Sequence, residues 1–178
     1  EMTLRDFQAA LASSSPTPGG GTAAAIALGQ ASALAIMVCD LTLGKDKWKD
    51  GWDIADKTLS ESVGIMMRAG ALADEDSDAF DEVMASFKLP KETETEKESR
   101  RYAIRQATLG ATEKPFETAQ LALKLLELLP ELAIKGNSNA ASDGLFQSQS
   151  SSDLGAPTNS FITPSMATIY ESLLINLE

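Results

Sequence analysis

Residues 15–38 read SPTPGGGTAAAIALGQASALAIMV, two prolines and three consecutive glycines followed by a long stretch of small and apolar side chains. Prolines remove backbone donors and glycines permit tight bends, so residues 16–21 predict a turn. No charged residue occurs from Thr22 to Val38, and the alanines favour a helix. The alternative, a membrane span, is disfavoured by the mild hydropathy and by the lack of a basic amino-terminal flank. We therefore expect a helix that is buried on all sides.

Apolar residues recur at helical intervals through much of the remaining chain, and no run is typical of a β-strand. The predicted helices cover residues 3–14, 52–73, 74–87, 91–109 and 116–134, and residues 74–87 either continue the preceding helix or restart it. Pro115 suits the first turn of the last of these helices, and Gly136-Asn137 predicts its end. Residues 144–164 are rich in serine and predict an irregular or poorly ordered segment, followed by a short closing helix over 166–177. These patterns predict an all-α protein, an up-and-down bundle of long helices in a single domain over residues 1–178.

The composition excludes several classes of function. The chain has 178 residues, 15 basic against 26 acidic, and a formal charge of -11, which disfavours binding to nucleic acid or to anionic membranes. Histidine is absent, which excludes Ser-His and His-metal mechanisms. The one cysteine, Cys39, cannot form an intramolecular disulfide and is expected to be a buried apolar residue. No secretory signal pattern opens the sequence, so we expect a cytoplasmic protein.

The glycine turn resembles a phosphate-binding loop only superficially. A P-loop needs lysine and then serine or threonine after the last glycine, whereas Thr22-Ala23 follows here. A dinucleotide fingerprint needs a preceding strand, and prolines stand there instead. Two readings remain: free N–H groups at the helix start that bind an anion or a carbonyl oxygen, or a purely structural turn.

Two charged clusters have both a functional and an ordinary interpretation. Asp74, Asp76 and Asp78 resemble the start of a calcium loop but lack its later glycine and glutamate, so they indicate an acidic helix start. Asp74, Asp78 and Glu82 share one helix face, which would attract a cationic substrate if it lined a cleft. The lysines at positions 45, 47 and 49 form a short basic run, which either binds an anionic group or faces water.

Several blocks of sequence occur together in an order known from one protein family. They are residues 15–24 (SPTPGGGTAA), Met37-Val38, residues 41–45 (LTLGK), residues 76–80 (DSDAF) with Val83, Met84, Leu89 and Pro90, Ala111-Thr112 with Pro115, Gly136-Asn137 and Ser142-Asp143. On these blocks the chain resembles the cyclodeaminase/cyclohydrolase domain of the formiminotransferase-cyclodeaminase family. After Asp143 it departs from the family, because a serine-glutamine stretch replaces an alanine-rich helix.

The resemblance implies an all-helical fold that forms a homodimer through long helices, with a folate-type ligand in a cleft near the glycine turn. It implies no metal and no cofactor beyond the tetrahydrofolate substrate. In the bifunctional enzyme this domain converts formiminotetrahydrofolate to 5,10-methenyltetrahydrofolate and ammonia, whereas stand-alone relatives include methenyltetrahydrofolate cyclohydrolases. The expected function is therefore the cyclodeaminase, with the cyclohydrolase or a non-catalytic folate-binding scaffold as alternatives.

Cyclodeamination passes through a positively charged amidinium carbon, which a nearby carboxylate stabilises. Asp143, after the Gly-Asn pair, is the first catalytic candidate, with helix capping as its other possible role; Asp40 and Asp78 are further candidates. N–H groups of the glycine turn are expected to bind a folate carbonyl, and Lys45 with Arg105 the glutamate carboxylates. The predicted substrate-binding residues are Pro18, Gly19, Gly20, Gly21, Thr22, Lys45, Arg105 and Asn137, and no metal-binding residue is predicted.

Overall fold

The structure, a computed structural model, describes residues 2–140. Within that range the chain forms four α-helices and one short 3-10 helix, with no β-strand. The elements are α1 (Leu4–Leu11), α2 (Gly20–Thr42), the 3-10 helix (Asp46–Gly51), α3 (Trp52–Phe87) and α4 (Glu94–Lys135). The predicted all-α fold is confirmed. The predicted irregular segment at 144–164, the closing helix at 166–177 and Asp143 lie outside the described residues, so a single domain over 1–178 stays a prediction there.

Side-chain caps define where α1 and α4 begin. Thr3 accepts a hydrogen bond from the backbone of Asp6, whose carboxylate bonds back to Thr3, and Thr93 forms the same reciprocal cap with Glu96. α1 ends at Leu11, three residues before its predicted end, and Ser13 donates its hydroxyl to the carbonyl of Ala10. Serine competes in this way with backbone hydrogen bonding, which shortens the helix.

The three long helices form an up-and-down bundle. Thr22 at the start of α2 contacts Asp76 in the second half of α3, so these two helices run antiparallel. Lys124 of α4 pairs with Glu61 of α3, which makes that pair antiparallel as well. The predicted topology is therefore confirmed.

The core lies where α2, α3 and α4 meet. Its fully buried side chains include Leu28, Val38, Leu72 and Leu125. Cys39 is also fully buried, which confirms the prediction that it is a core residue. Burial raises the pKa of its thiol to about 11.

α2 is the one helix among residues 2–140 that is long and apolar enough to cross a membrane. Core helices of globular proteins meet the same criterion, and the buried side of α2 packs against α3 and α4. The prediction that α2 is buried on all sides is wrong, because these two helices leave one face uncovered. Met37 and Leu41 on that face are 36% and 42% exposed.

α3 is a single helix of 36 residues, so the alternative in which residues 74–87 continue the preceding helix is confirmed. Asp74 lies inside this helix, and the prediction of an acidic helix start there is wrong. The acidic residues that follow have side-chain partners, since Glu75 pairs with Arg68 and Asp76 accepts a bond from Thr22. These partners stabilise the negative charges inside the helix, as the amino terminus of a helix would otherwise do.

α4 is also continuous, from Glu94 to Lys135, with Pro115 inside it. The prediction that Pro115 begins a separate helix is wrong. A proline inside a helix removes one hydrogen bond and strains the preceding turn. Ion pairs from Lys114 and Glu117 to α3 hold α4 in place on either side of this position, so packing outweighs the local preference.

The carboxyl end of α4 is fastened to the carboxyl end of α2. α4 ends at Gly136, as predicted, although its φ of -79° is not left-handed. Glycine is needed for close approach, since a Cβ atom there would lie 2.5 Å from the Leu132 carbonyl oxygen and 3.1 Å from the Thr42 hydroxyl. The backbone N–H of Asn137 donates to that hydroxyl, and its side-chain amide donates to the carbonyl of Leu41. Asn137 thus caps α2.

Candidate active site

A cleft of about 410 Å³ opens at the amino end of α2, a size suited to a small organic ligand. The glycine turn forms one side, α3 the second and α4 the third. The lining residues are Pro16, Thr17, Gly19, Gly20, Gly21, Asp76, Phe80, Val83, Thr108, Ala111, Thr112, Pro115, Phe116 and Ala119. Asp76 is the one charged residue among them.

Asp76 is half-buried and held in place by the hydroxyl group of Thr22. The Thr22 hydroxyl donates to Oδ2 of Asp76 at 2.9 Å and lies 3.0 Å from the Ser77 hydroxyl. Thr22 is 5% exposed, so this contact is largely shielded from water. The carboxylate thus has a fixed position at the edge of the cleft, and its remaining lone pairs are free to act on a ligand.

Gly21 is the residue that allows this arrangement. A Cβ atom at position 21 would overlap the Asp76 carboxylate, lying 2.6 Å from its Cγ. Only glycine lets the α2 backbone approach this closely. Gly19, the cap residue of α2, provides no side-chain hydrogen bond, so the first N–H groups of the helix remain available to a carbonyl or an anion.

The α4 wall provides apolar surface and a backbone acceptor. Phe116 is 57% exposed, and Phe80 across the cleft on α3 is 39% exposed, so both rings offer faces to a flat ligand. Pro115 has no N–H to donate to the carbonyl of Ala111, one turn earlier in the helix. Both residues line the cleft, so the helical carbonyl that lacks its usual donor belongs to a residue of the cleft wall.

An ion network joins α3 to α4 beside the cleft. Arg68 contacts Glu75 and Glu117, and Lys114 contacts Glu75 at 2.9 Å. The hydrogen bond from Arg68, with a further one from Lys114, lowers the pKa of Glu75 to about 2. Glu75 precedes Asp76, and Lys114 and Glu117 flank two residues of the opposite wall. The network therefore fixes the distance between the two walls.

The structure brings the glycine-turn residues together and leaves other predicted site residues elsewhere. Gly19, Gly20 and Gly21 line the cleft; Pro18 and Thr22 lie immediately beside it. Arg105 is exposed on α4, three residues before Thr108 and on the same helix face, which places it beyond one end of the cleft.

The remaining candidates lie away from this cleft. Asp78 is exposed on α3 and is not part of the lining. Asp40, Lys45 and Asn137 lie at the carboxyl end of α2, whose 23 residues span roughly 35 Å at 1.5 Å per residue. Within one chain they do not approach the glycine turn. The roles of Asp143, which the structure does not describe, stay predictions.

Sequence reasoning did not single out Asp76 as a catalytic candidate. A signal for it exists, because positions 76, 80 and 83 form one stripe of α3 in which a single carboxylate accompanies Phe80 and Val83. The sequence does not show that Thr22 is the hydrogen-bond partner of Asp76, since the two residues are 54 positions apart. Within residues 2–140 no group of three or more acidic or cysteine side chains is arranged to hold a metal ion.

The sequence is similar to that of known proteins. The profile described as formiminotransferase-cyclodeaminase matches residues 3–150. A methenyltetrahydrofolate cyclohydrolase of Methylorubrum extorquens is 39% identical over 141 residues, which cover 79% of this chain and 68% of that protein. The formimidoyltransferase-cyclodeaminase of Rattus norvegicus is 32% identical over 147 residues, 80% of this chain and 26% of that protein. The chain thus spans about a quarter of the rat enzyme.

A solved structure supports the same assignment. The crystal structure of formiminotetrahydrofolate cyclodeaminase from Thermotoga maritima superposes with a TM-score of 0.75 at 26% identity. The alignment covers 99% of this chain and 79% of that one. Sequence profile, relatives and fold agree, and the chain belongs to the formiminotransferase-cyclodeaminase family.

Proposed function

We propose that this chain hydrolyses 5,10-methenyltetrahydrofolate to 10-formyltetrahydrofolate. The observation that carries the proposal is the Asp76 carboxylate, the one charged side chain in an otherwise largely apolar cleft. The methenyl bridge carries a positive charge spread over N5, carbon and N10, and a fixed carboxylate in a shielded cleft attracts that charge. The aromatic faces of Phe80 and Phe116 suit the flat pterin ring.

Asp76 has the chemistry to act as base and then as acid in this reaction. Its carboxylate takes a proton from water as the oxygen adds to the methenyl carbon, which gives a neutral carbinol. It returns that proton to N5, the C–N5 bond breaks with its electron pair passing to nitrogen, and the carbinol hydroxyl passes its proton to the Asp76 carboxylate as C=O forms. One water is consumed and one proton released, so charge and atoms balance.

The other groups around the cleft orient the substrate. Backbone N–H groups at Gly20 and Gly21 suit the carbonyl oxygen of the folate, and the free carbonyl of Ala111 suits a ring N–H or the cationic bridge. Arg105, beyond one end of the cleft, suits the carboxylates of the glutamate tail because its planar fork binds carboxylate with two hydrogen bonds.

The order of the two candidate activities differs from the one that the sequence predicted. The cyclohydrolase of Methylorubrum extorquens is the relative with the higher identity, and the match covers most of it, so hydrolysis takes first place. Cyclodeamination of formiminotetrahydrofolate is the second candidate, favoured by the fold match to the Thermotoga maritima enzyme. There N10 replaces water as the nucleophile and Asp76 protonates the departing ammonia.

One experiment with two substrates tests this proposal. The purified chain is incubated with methenyltetrahydrofolate, and loss of the methenyl absorbance is followed against an enzyme-free control. A second reaction with formiminotetrahydrofolate follows ammonia release. Accelerated methenyl loss without ammonia release supports hydrolysis, whereas ammonia release with methenyl formation replaces it with cyclodeamination. Neither activity, despite folate binding measured by calorimetry, would instead support the non-catalytic scaffold.

The active form is, in this proposal, a homodimer. The uncovered face of α2 supports it, because Ala33, Met37 and Leu41 form an exposed apolar stripe, with the exposed Asp40 at its border. Apolar helix faces of this kind commonly pack against a second subunit.

A further inference from the structure

A second cleft lies on the other side of Thr22, between α1, the start of α2 and α3. Its volume is about 530 Å³. The lining residues are Met2, Thr3, Leu4, Phe7, Thr17, Pro18, Thr22, Ile26, Gly70, Ala73, Asp74 and Ser77. Thr17 lines both clefts, so the wall between them is thin at the glycine turn.

A chain of hydrogen bonds crosses that wall. The carboxylate of Asp76 lies in the first cleft and accepts a bond from Thr22 at 2.9 Å. The Thr22 hydroxyl is 3.0 Å from the hydroxyl of Ser77, which lines the second cleft. Ser77 has one further, long contact of 3.5 Å to the carbonyl of Ala73, so its hydroxyl is free to turn toward either side.

The geometry points to a proton relay in which Thr22 and Ser77 connect Asp76 to water in the second cleft. This inference rests on the proposed hydrolysis, which leaves one proton on Asp76 in each turnover. Asp76 passes its proton to the Thr22 oxygen, Thr22 passes its own proton to the Ser77 oxygen, and Ser77 passes its own to a water molecule. Each O–H bond that breaks is matched by one that forms, and a single proton leaves.

The relay gives the proton on Asp76 a route to solvent while the ligand is bound. A folate packed between Phe80 and Phe116 covers the side of Asp76 that faces the first cleft, and the proton then has no direct contact with bulk water. The path through Thr22 stays open while the ligand is bound, because it leads away from the first cleft. Asp74 also lines the second cleft and provides an exposed carboxylate near the outer end of the path.

Ser77→Ala is the variant that tests the relay. It interrupts the path at its outer end but leaves Thr22 in place to hold Asp76. Methenyltetrahydrofolate hydrolysis is measured as kcat and KM in light and heavy water and across a series of small buffer acids, with the enzyme-free rate subtracted. Ser60→Ala, the same change at an exposed position of α3, is the control, and Ser77→Thr keeps the hydroxyl.

The relay predicts that Ser77→Ala lowers kcat by up to roughly 100-fold, the lower end of what a positioned proton-transfer group contributes, without changing KM. The solvent isotope effect rises and small buffers restore the rate, whereas Ser77→Thr and Ser60→Ala behave as the wild type. A merely structural Ser77 gives neither buffer rescue nor a larger isotope effect, and that result overturns the relay. If the wild type itself shows no hydrolysis, the proposed function fails first and the relay with it.

Discussion

At the scale of single residues, the cleft depends on two positions that are close in space and far apart in sequence. Asp76 occupies space that any side chain at position 21 would fill, and its orientation comes from the Thr22 hydroxyl. The carboxylate is the flexible end of a side chain, so it can move if Gly21 is replaced. A change at Gly21 therefore acts on the position of Asp76 more than on the stability of the fold.

Gly21→Ala is expected to lower kcat by about 100-fold, because a displacement of roughly 1 Å in a reacting group costs that much. The melting temperature should change little. The matched control is Gly20→Ala, since a Cβ atom there meets nothing within 4 Å. Equal activity of the two variants would mean that the close approach of Gly21 to Asp76 has no part in turnover.

The turn at residues 16–21 was predictable from sequence, because prolines followed by consecutive glycines favour a tight bend before the charge-free helix. Asp76 was not, since its role depends on a tertiary contact with Thr22. Asp40, Lys45 and Asn137 were grouped with the site without any tertiary contact to support it, and the length of α2 separates them from it within one chain.

At the scale of helices, the alanine content and lack of charge located α2, and periodicity located α3 and the carboxyl end of α4. The helix starts wrongly predicted at Asp74 and Pro115 arose from local signals. Pro115 predicts a helix start when only neighbouring residues are considered. The Arg68–Glu75–Lys114–Glu117 network and the core contacts of α4 keep the helix continuous through it. Tertiary contacts of this kind have no signature in a single sequence.

Pro115→Ala is expected to raise the free energy of unfolding by up to roughly 3 kcal/mol, because alanine restores the helical hydrogen bond. That bond occupies the Ala111 carbonyl, so KM should rise by about tenfold, the value of one hydrogen bond to a charged group. Pro130→Ala, in the same helix but outside the cleft lining, should stabilise without changing KM. Denaturant titrations and steady-state kinetics measure both effects, and an unchanged KM in Pro115→Ala would remove the carbonyl from substrate binding.

The ion network should make stability depend on pH in acid. Arg68 and Lys114 lower the pKa of Glu75 from its ordinary value of 4.5 to about 2, so its ion pairs stabilise the fold fully above 4.5. That stabilisation is lost as the pH falls toward 2. Glu75→Gln should therefore be less stable than wild type near neutrality, by roughly 1 kcal/mol for pairs that are partly exposed to solvent, and converge with it at low pH. The measurement is the free energy of unfolding as a function of pH, with the exposed Glu127→Gln as control. A difference between Glu75→Gln and wild type that stays constant at all pH values would contradict this prediction.

At the scale of the whole molecule, α2 has an apolar face that α3 and α4 of the same chain do not cover. The fold class and bundle topology follow from periodicity and from the absence of strand patterns. The exposed face does not, because a charge-free helix is equally compatible with burial inside one chain and burial between two.

Light scattering should show a dimer of this chain, and Met37→Glu should convert it to a monomer, because a buried charge without a partner is costly at such an interface. Met67→Glu is the control, since Met67 is 70% exposed on α3 and the substitution is identical. A monomeric wild type would refute the homodimer.

We propose that Asp76 carries the chemistry in the cleft at the amino end of α2. The most direct measurement is kcat for methenyltetrahydrofolate hydrolysis by Asp76→Asn beside Asp78→Asn, two identical changes two residues apart on one helix. We expect Asp76→Asn to lose roughly 10²- to 10⁴-fold in kcat while still binding folate, and Asp78→Asn to match the wild type. Near-normal turnover by Asp76→Asn would show that Asp76 does not carry the chemistry.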